Sequence, residues 1–349
     1  ALTGKWGVRK WRSSILQAEV DGHKFKVIPT YAPKAVYREW TLRPLVIHDM
    51  RRARTEFDRG PIVAKPPWRF VVRPTYQQAH AVLAHLLHLL DTTREPLKLS
   101  SDIETRAGHT ACLGIAWSRT EAICIPFMCV ERLTGYWTLE EETELVWLIR
   151  LILAHPMAKV IWQNGAYDHQ YEWRWHFYLP NMGWDTMLAH HAMFSTSPKG
   201  LDHLSSLYCD YHVYWKEDGR LWDPPTMPEE QYWTYNCEDC VRTYEIADQE
   251  EAAIASLTQG GWTKLPEVVA FQHEVQPVIT KMMLRGVRSD DTSRTQMAMT
   301  LLSFAEHVNR ELEELCGQPL NINSPKQMTE FFYGVLNQSP IYSRNPDGS

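Results

Sequence analysis

Residues 97–104 read LKLSSDIE, and the alternation of apolar and polar side chains in this stretch is typical of a β-strand. Gly108 lies in the turn that follows, and apolar runs at 112–117 and 122–127 predict a second and a third strand. Three consecutive strands joined by short turns predict an antiparallel meander.

Downstream of the meander, strand-like and helical stretches alternate. The apolar spacing predicts a short buried strand at 160–163 and helices over 139–154, 168–177, 185–191, 201–208 and 229–257. Strands first, and then strand and helix in alternation, predict an α/β fold with a mixed sheet. Further helices are predicted over 75–90, 266–284 and 291–315. A last helix is expected to begin with Ser324 as N-cap and Pro325 at the first helical position.

Charge is unevenly distributed along the chain. Its 349 residues are 44% hydrophobic, which is enough apolar material for packed cores, and the formal net charge of −6 excludes a uniformly basic nucleic-acid binder. Residues 1–80 nevertheless carry 16 Lys and Arg against 6 Asp and Glu, whereas the remainder carries 20 against 36. We therefore expect a basic N-terminal segment whose role differs from that of the acidic remainder.

Arg94, Glu95 and Pro96 read as a linker between these parts. The predicted organisation is a basic N-terminal segment over 1–94, an α/β domain over 95–260 and a helical C-terminal extension over 261–349. Within the first of these, prolines punctuate an irregular stretch with strand-like runs at 24–28 and 45–48.

Cysteine content and hydropathy indicate the compartment. Seven cysteines, an odd number, without a secretory leader favour a reducing, cytoplasmic environment and no disulfide framework. The longest apolar run, at 145–154, is interrupted by Arg150 and is too short to span a bilayer, so no membrane partner is expected. Because the chain opens with Ala1 and ends in a polar stretch, we expect a fragment of something longer.

Two short acidic motifs accompany the predicted strands. Asp102 and Glu104 are two residues apart on a strand, so they share a face, where bare like charges repel unless cations lie between them. Asp168 follows the strand at 160–163 and falls at the start of the next helix. Taken singly, a solvated strand face explains the first motif and helix capping explains the second.

A third motif lies on the helix predicted over 229–257. Tyr235 and Asp239 are four residues apart and therefore neighbours on one helix face, which by itself is commonplace. In this order and on these elements, the three motifs together resemble those of the DEDDy 3′–5′ exonucleases. Stretches at 184–186 and 199–204 also resemble segments between that family's second and third motifs.

The resemblance implies a ribonuclease-H-like fold, with the carboxylates meeting at one edge of the sheet, and phosphodiester hydrolysis with two Mg²⁺ or Mn²⁺ ions. Asp102, Glu104 and Asp239 would hold one ion; Asp102 would bridge to a second, which Asp168 would help to fix through water. Tyr235 would orient the attacking water, since a pKa of about 10 suits positioning better than proton abstraction. Weaker substrate contacts are implied for Asn164, Tyr167, Asp185 and His203.

The C-terminal stretches resemble family A DNA polymerases. Residues 271–290 resemble the segment that joins exonuclease to polymerase in that family. Residues 321–328, NINSPKQM, are similar to its N-x-x-S-P-K-Q-L stretch, with Met328 in the last place. The resemblance implies the proofreading part of a phage-type polymerase whose palm and fingers lie beyond residue 349. The plain alternative is two amphipathic helices and a well-capped third.

The N-terminal segment resembles, at 22–34 and 43–50, the C-terminal part of a uracil-DNA-glycosylase-like domain. That family's motif has His before the proline, whereas this chain has Ala32 before Pro33, so glycosylase activity is not expected. The basic cluster Arg51, Arg52 and Arg54 is expected either to track a DNA backbone or to face solvent.

These features predict a 3′–5′ exonuclease that removes nucleotides from the 3′ end of single-stranded DNA. Its partners would be primer-template DNA and the palm and fingers of the parent polymerase. A ribonuclease-D-like RNA exonuclease and a DNA-binding structural fragment without activity are the alternatives.

Three further features remain open at this point. The loop at 211–228 is expected to border the substrate groove. Cys237 and Cys240 have the spacing of a metal site, but without a second cysteine pair we expect half-buried helix cysteines. Aromatic residues near the second motif either stack a frayed primer end or pack in the core: Trp162, Tyr171, Trp173 and Trp175.

Overall fold

The structure, a computed structural model, describes residues 2–175, 183–223 and 226–340. The chain divides into two compact units, Ala1–Leu284 and Arg285–Ser349. The domain boundaries predicted near residues 94 and 260 lie within the first unit and stay predictions. The end of the helix predicted over 168–177 lies outside the described residues.

The N-terminal part of the first unit contains a small hairpin and several helices. Its elements are α1 (Val8–Trp11), β1 (Leu16–Val20), β2 (His23–Val27), α2 (Pro33–Arg38), α3 (Arg43–Asp58), β3 (Arg69–Val71) and α4 (Tyr76–Thr92). The strand predicted at 24–28 is confirmed, since β1 and β2 pair antiparallel. The strand predicted at 45–48 is wrong, because these residues lie in α3. Pro44 at the start of α3 presets a helical φ, and a four-residue apolar run cannot distinguish strand from helix.

A six-stranded mixed sheet lies at the centre of the first unit. It combines β3 with β4 (Leu97–Arg106), β5 (His109–Ala116), β6 (Glu121–Pro126), β7 (Ala158–Trp162) and β8 (Trp184–Asp185). The strand order is β3-β6-β5-β4-β7-β8. Strands β4, β5 and β6 form the predicted antiparallel meander, whereas β3, β7 and β8 run parallel to their neighbours. The predicted mixed α/β fold is confirmed. The sequence did not predict β3 and β8, because two or three residues are too few to show a strand periodicity, and Asp185, predicted to begin a helix, ends β8 and caps α7.

Helices cover both faces of this sheet and enclose one large apolar core. Besides α4, the helices of this part of the chain are α5 (Leu139–Leu153), α6 (Ala166–Glu172), α7 (Thr186–Met193), α8 (Leu201–Tyr208), α9 (Lys216–Arg220) and α10 (Glu229–Gln259). The long helix α10 packs across β4, β5 and β6, while α4 and α5 pack on each other. Both α4 and α5 begin with a capping box, in which a threonine and the side chain three residues later satisfy free N–H groups.

The C-terminal helices match the sequence predictions. They are α11 (Leu265–Arg285), α12 (Asp291–Cys316) and α13 (Pro325–Thr329). Ser324 is the N-cap of α13 as predicted, and its hydroxyl accepts a hydrogen bond from the N–H of Gln327. Among the helices that the structure describes, none combines the length and apolar character needed to cross a membrane.

Candidate metal centre

A glycine on β5 allows α10 to lie close to the sheet beside the first acidic motif. Gly114 pairs with Asp102 of β4 across the antiparallel ladder. A Cβ atom at Gly114 would lie 2.5 Å from Asn236 Oδ1 and 2.6 Å from Cys240 Sγ, both on α10. In this position the Asn236 amide donates hydrogen bonds to the backbone carbonyl of Asp102 at 3.1 Å and to its carboxylate at 3.0 Å. The close packing therefore ties the third motif to the first.

Three predicted carboxylates converge at this junction. Asp102, Glu104 and Asp239 each offer an oxygen atom, and these atoms lie within 4.8 Å of one another. No other group of three or more histidine, cysteine or acidic side chains with metal-ligand spacing occurs in the described part of the chain. An all-oxygen donor set fits a hard divalent cation such as Mg²⁺ or Mn²⁺.

The electrostatics of the cluster also fit a cation. Burial, followed by the charge of Asp239, raises the pKa of Asp102 to about 7. Burial and the charge of Asp102 likewise raise the pKa of Glu104 well above its ordinary value. Carboxylates that share a site resist full ionisation unless enough positive charge lies among them, and the ammonium of Lys216, which pairs with Asp239, leaves the pKa values of Asp102 and Glu104 raised. The donor set and its crowding thus both match a bound divalent ion.

Asp168 lies next to these carboxylates but outside the group of three. It belongs to the first turn of α6 and is 3% exposed. Its carboxylate accepts a hydrogen bond from the N–H of Ile103, which stands between Asp102 and Glu104, at 3.0 Å. Burial, followed by the charge of Asp102, raises the pKa of Asp168 well above its ordinary value. The second motif is therefore brought to the same strand as the first.

Asp185, expected to contact substrate, is instead fully buried. Its carboxylate caps α7 through Met187 N–H and accepts hydrogen bonds from the backbone N–H groups of Asn164 and Gly165 at 3.1 and 2.8 Å. The side-chain amide of Gln276 donates a further bond at 2.8 Å. With both oxygens bonded within the chain, Asp185 shapes the turn that leads to Asp168, and direct substrate contact does not fit its burial.

His203, the other weak candidate on this side, is half-buried on α8. Its Nε2 lies 3.0 Å from Ser197 Oγ. Burial, and then the charge of Arg12, lowers its pKa to about 4. In the described part of the chain His203 contacts Ser197 and does not join the metal-ligand group of Asp102, Glu104 and Asp239.

Asn164 and Tyr167 are exposed beside the carboxylates. The Tyr167 hydroxyl lies 2.7 Å from the hydroxyl of Thr105, the residue after Glu104 on β4. Its ring lies 5.1 Å from that of Tyr171, and the Arg174 guanidinium lies 4.9 Å from the Tyr171 ring. An aromatic pair with a cation beside it has the chemistry that base stacking requires, and the contact of Tyr167 with substrate stays a prediction.

Tyr235 is bound by a residue that no motif indicated. The ammonium of Lys216 donates a hydrogen bond to the Tyr235 hydroxyl at 2.9 Å and is also paired with the carboxylate of Asp239. The other oxygen of Asp239 accepts a hydrogen bond from the indole N–H of Trp215 at 2.6 Å. Both residues belong to the loop predicted to border the groove, but no feature of the sequence distinguishes them within it.

Burial decides several of the remaining sequence hypotheses. Trp162 is 1% exposed, so it packs in the core. Cys237 and Cys240 are fully buried, deeper than predicted, and belong to that core. In the basic cluster, Arg51 faces solvent, but the Arg52 guanidinium donates hydrogen bonds to the carbonyls of Ser206 and Cys209. Arg52 therefore binds within the chain, and neither of the two roles expected for the cluster, contact with a DNA backbone or exposure to solvent, holds for it.

The chain matches no known family profile. It is 28% identical over 115 residues to the DNA polymerase DpoZ of Vibrio phage phiVC8, a match that covers 33% of this chain. The matched segment spans only 17% of that polymerase's length.

Several solved structures have a distant likeness to this one. The catalytic core of RRP6 from Trypanosoma brucei is 15% identical, with a TM-score of 0.44, over 62% of this chain and 54% of that one. The POL domain of Pol1 from M. smegmatis, in complex with a DNA primer-template and dNTP, is 15% identical, with a TM-score of 0.46, over 80% of this chain and 43% of that one. NrnC of Brucella melitensis is 16% identical, with a TM-score of 0.41, over 57% of this chain and 91% of that one. At these scores none of the likenesses decides what this chain does.

Proposed function

We propose that this chain is a 3′–5′ exonuclease that hydrolyses the terminal phosphodiester of single-stranded DNA as the proofreading part of a DNA polymerase. The observation that carries the proposal is the convergence of Asp102, Glu104 and Asp239 from two distant segments of the chain. Asp168 supports the proposal, because its carboxylate accepts a hydrogen bond from the N–H of Ile103, the residue between Asp102 and Glu104. A solvated strand face or a helix cap would not require four carboxylates to gather in this way.

The chemistry follows from the residues around the cluster. Divalent cations held by the carboxylates would offset the charge of the phosphate and favour attack by water. The Tyr235 hydroxyl, fixed by Lys216, is suited to orient the attacking water, and burial raises its pKa above the ordinary value, so it keeps its proton. Tyr167 and Tyr171 are suited to stack the bases that precede the scissile bond.

DNA is favoured over RNA by two features. One is the partial identity with a phage DNA polymerase. The other is the stretch at 321–328 that resembles family A polymerases, and we propose that Arg285–Ser349 begins the polymerase region. Helix α12 has no buried residue and exposes apolar side chains that a further domain of the parent polymerase would cover: Met297, Leu301, Leu302 and Phe304.

The test uses an oligonucleotide labelled at its 5′ end and digested with Mg²⁺. Asp102→Asn and Asp239→Asn are each expected to lower the rate by more than about a hundredfold, since even outer-shell partners of a metal are worth 10–100-fold. Asp291→Asn, which changes an exposed acid of α12, is the matched control. Undiminished Mg²⁺-dependent digestion by both site variants would refute the proposal.

The same assay separates the alternatives. DNA and RNA strands of one sequence are digested side by side, and faster removal of ribonucleotides would favour the RNA exonuclease. Binding of DNA without any digestion would favour a structural role.

A further inference from the structure

We call residues 212–220 the 212–220 loop: it follows α8, includes the short helix α9 (Lys216–Arg220), and touches the candidate metal centre at three points. Trp215 and Lys216 each bind a different oxygen of Asp239, and Lys216 also binds Tyr235. Farther along, a Cβ atom at Gly219 would lie 2.5 Å from the ring of Tyr235, so the loop backbone lies directly against that ring. The positions of Asp239 and Tyr235 therefore depend on where this loop is held.

Two hydrogen bonds join the main chain of this loop to the N-terminal segment. The N–H of Ile15 donates to the carbonyl of His212 at 2.7 Å. The N–H of Tyr214 donates to the hydroxyl of Ser14 at 3.2 Å, and Ser14 is fully buried. These two bonds fix the backbone immediately before Trp215.

Side chains of the same segment also contact the loop. The ring of Trp11 packs edge-on against Tyr214, with 5.5 Å between ring centroids. The ammonium of Lys10 lies 5.0 Å from the Tyr214 ring and forms an ion pair with Glu217, the residue after Lys216. Residues 10–15 thus contact the loop both before Trp215, at Tyr214, and after Lys216, at Glu217.

The segment is itself firmly anchored. Arg12 forms an ion pair with Asp49 of α3, and the side chains are 4% and 1% exposed. The Arg12 guanidinium also donates to the hydroxyl of Ser206 on α8. A buried and fully bonded ion pair is lost only at a large cost, so it sets a definite position for its neighbours.

We propose that residues 10–15 are positioning residues of the metal centre. They hold the 212–220 loop where Lys216 orients Tyr235 and Asp239. The inference rests on the proposed exonuclease function, and it gives the basic N-terminal segment a role that requires no contact with DNA.

The first part of the test concerns Lys216. Lys216→Met is expected to lower kcat for DNA digestion about tenfold or more with little change in KM, because the lysine orients catalytic groups and does not bind the strand. Lys216→Arg, which keeps the charge and the donor, is expected to recover part of the loss. An independent readout is the ¹⁹F resonance of 3-fluorotyrosine placed at Tyr235, which should shift in Lys216→Met whether or not the protein digests DNA.

The second part concerns the link to the N-terminal segment. Lys10→Glu and Glu217→Lys each place like charges together, and each is expected to lower kcat about threefold and to move the Tyr235 resonance. The double charge swap is expected to restore both. Lys24→Glu, the same charge change on the exposed hairpin strand β2, is the matched control and should alter neither.

The outcomes separate the inference from the function on which it rests. If the unaltered protein digests DNA but Lys10→Glu and Glu217→Lys behave like Lys24→Glu in both readouts, the inference is wrong and the exonuclease stands. Failure of the double swap to restore kcat and the resonance would also overturn the inference. If the unaltered protein digests nothing, but the Tyr235 resonance moves in Lys10→Glu and Glu217→Lys and returns in the double charge swap, then residues 10–15 do position Tyr235 and the proposed function is wrong.

Discussion

Gly114 of β5 offers a direct test of how the metal centre is assembled. Its φ lies outside the left-handed region, so alanine fits the backbone and only the added methyl group matters. That methyl would lie 2.5 Å from Asn236 Oδ1 and 2.6 Å from Cys240 Sγ, whereas ordinary contacts begin at 3.4 Å. Both neighbours are fully buried on α10 and cannot swing into solvent. Gly114→Ala must therefore push α10 and the sheet apart.

The size of the effect follows from two contributions. Overpacking of a well-packed core costs about 1–3 kcal/mol. Displacing Asn236 also weakens its hydrogen bonds to Asp102, one of which is to a carboxylate and is worth about 1.5–3 kcal/mol. Because one displacement causes both losses, we expect the free energy of unfolding to fall by about 2–4 kcal/mol. The affinity for Mn²⁺ should fall with it, since Asp239 moves with α10.

Urea unfolding measures the first quantity and calorimetric titration with Mn²⁺ the second. Adding Cys240→Ala removes the sulfur atom from the crowded position, so the double variant should recover part of the stability lost in Gly114→Ala. Cys240→Ala alone completes the double-mutant cycle, which measures the interaction between positions 114 and 240. If Gly114→Ala unfolds at the same urea concentration as the unaltered protein, the close packing of α10 on β5 is refuted.

Three further predictions concern buried charges. Without divalent ions, Asp102 should cost the protein stability as pH rises from about 4 to 7, because its folded-state pKa, about 7, exceeds the unfolded value and the folded protein retains a proton. Buried histidines such as His203, whose pKa is lowered to about 4, act in the opposite direction, so the stability of the unaltered protein should fall relative to that of Asp102→Asn over this range. Added Mn²⁺ should reverse this relative loss at pH 8 in urea unfolding, and a difference that does not change with pH would contradict the prediction. Burial raises the pKa of Glu172 to about 8, and neither of its oxygens has a hydrogen-bond partner among the described residues, so Glu172→Gln should match the unaltered protein near pH 4, below the unfolded pKa of a glutamate, and melt at a higher temperature near pH 9. Arg12→Met removes the guanidinium partner of the buried Asp49 carboxylate, which keeps only the Thr30 hydroxyl and the neighbouring His48, and should cost about 3–5 kcal/mol of unfolding free energy, whereas Arg12→Met with Asp49→Leu should cost much less. Equal losses in the single and double variants would show that the ion pair is not what the segment depends on.

Elements with a long periodic pattern could be predicted from the sequence. Helix α10 was predicted over 229–257 and spans Glu229–Gln259, and α12 was predicted over 291–315 and spans Asp291–Cys316. Their apolar spacing repeats often enough for local information to suffice. The run at 45–48 and the strand β3 are too short for a period to appear, so the tertiary context decided them.

That the candidate site is built from these carboxylates could also be predicted from the sequence. Acidic residue types at strand and helix spacing indicate shared faces, and the order of the three motifs carries the resemblance. The role of Asp185 was not predictable, because whether a carboxylate faces substrate or caps a buried turn depends on what packs over it. In this chain His273 and Gln276 of α11 do so: the former accepts the Asp185 N–H at 2.7 Å and the latter binds its carboxylate.

The sequence by itself determined the chemistry available to this protein: its carboxylates, their order, and the strands and helices that present them. Only the tertiary structure decided which residues surround that chemistry. Lys216 and Trp215 reach Asp239 across more than twenty positions, and residues 10–15 hold them from some two hundred positions away. Such contacts leave no local pattern, because they arise from the packing of α10 against Gly114 and from the docking of the N-terminal segment on α8.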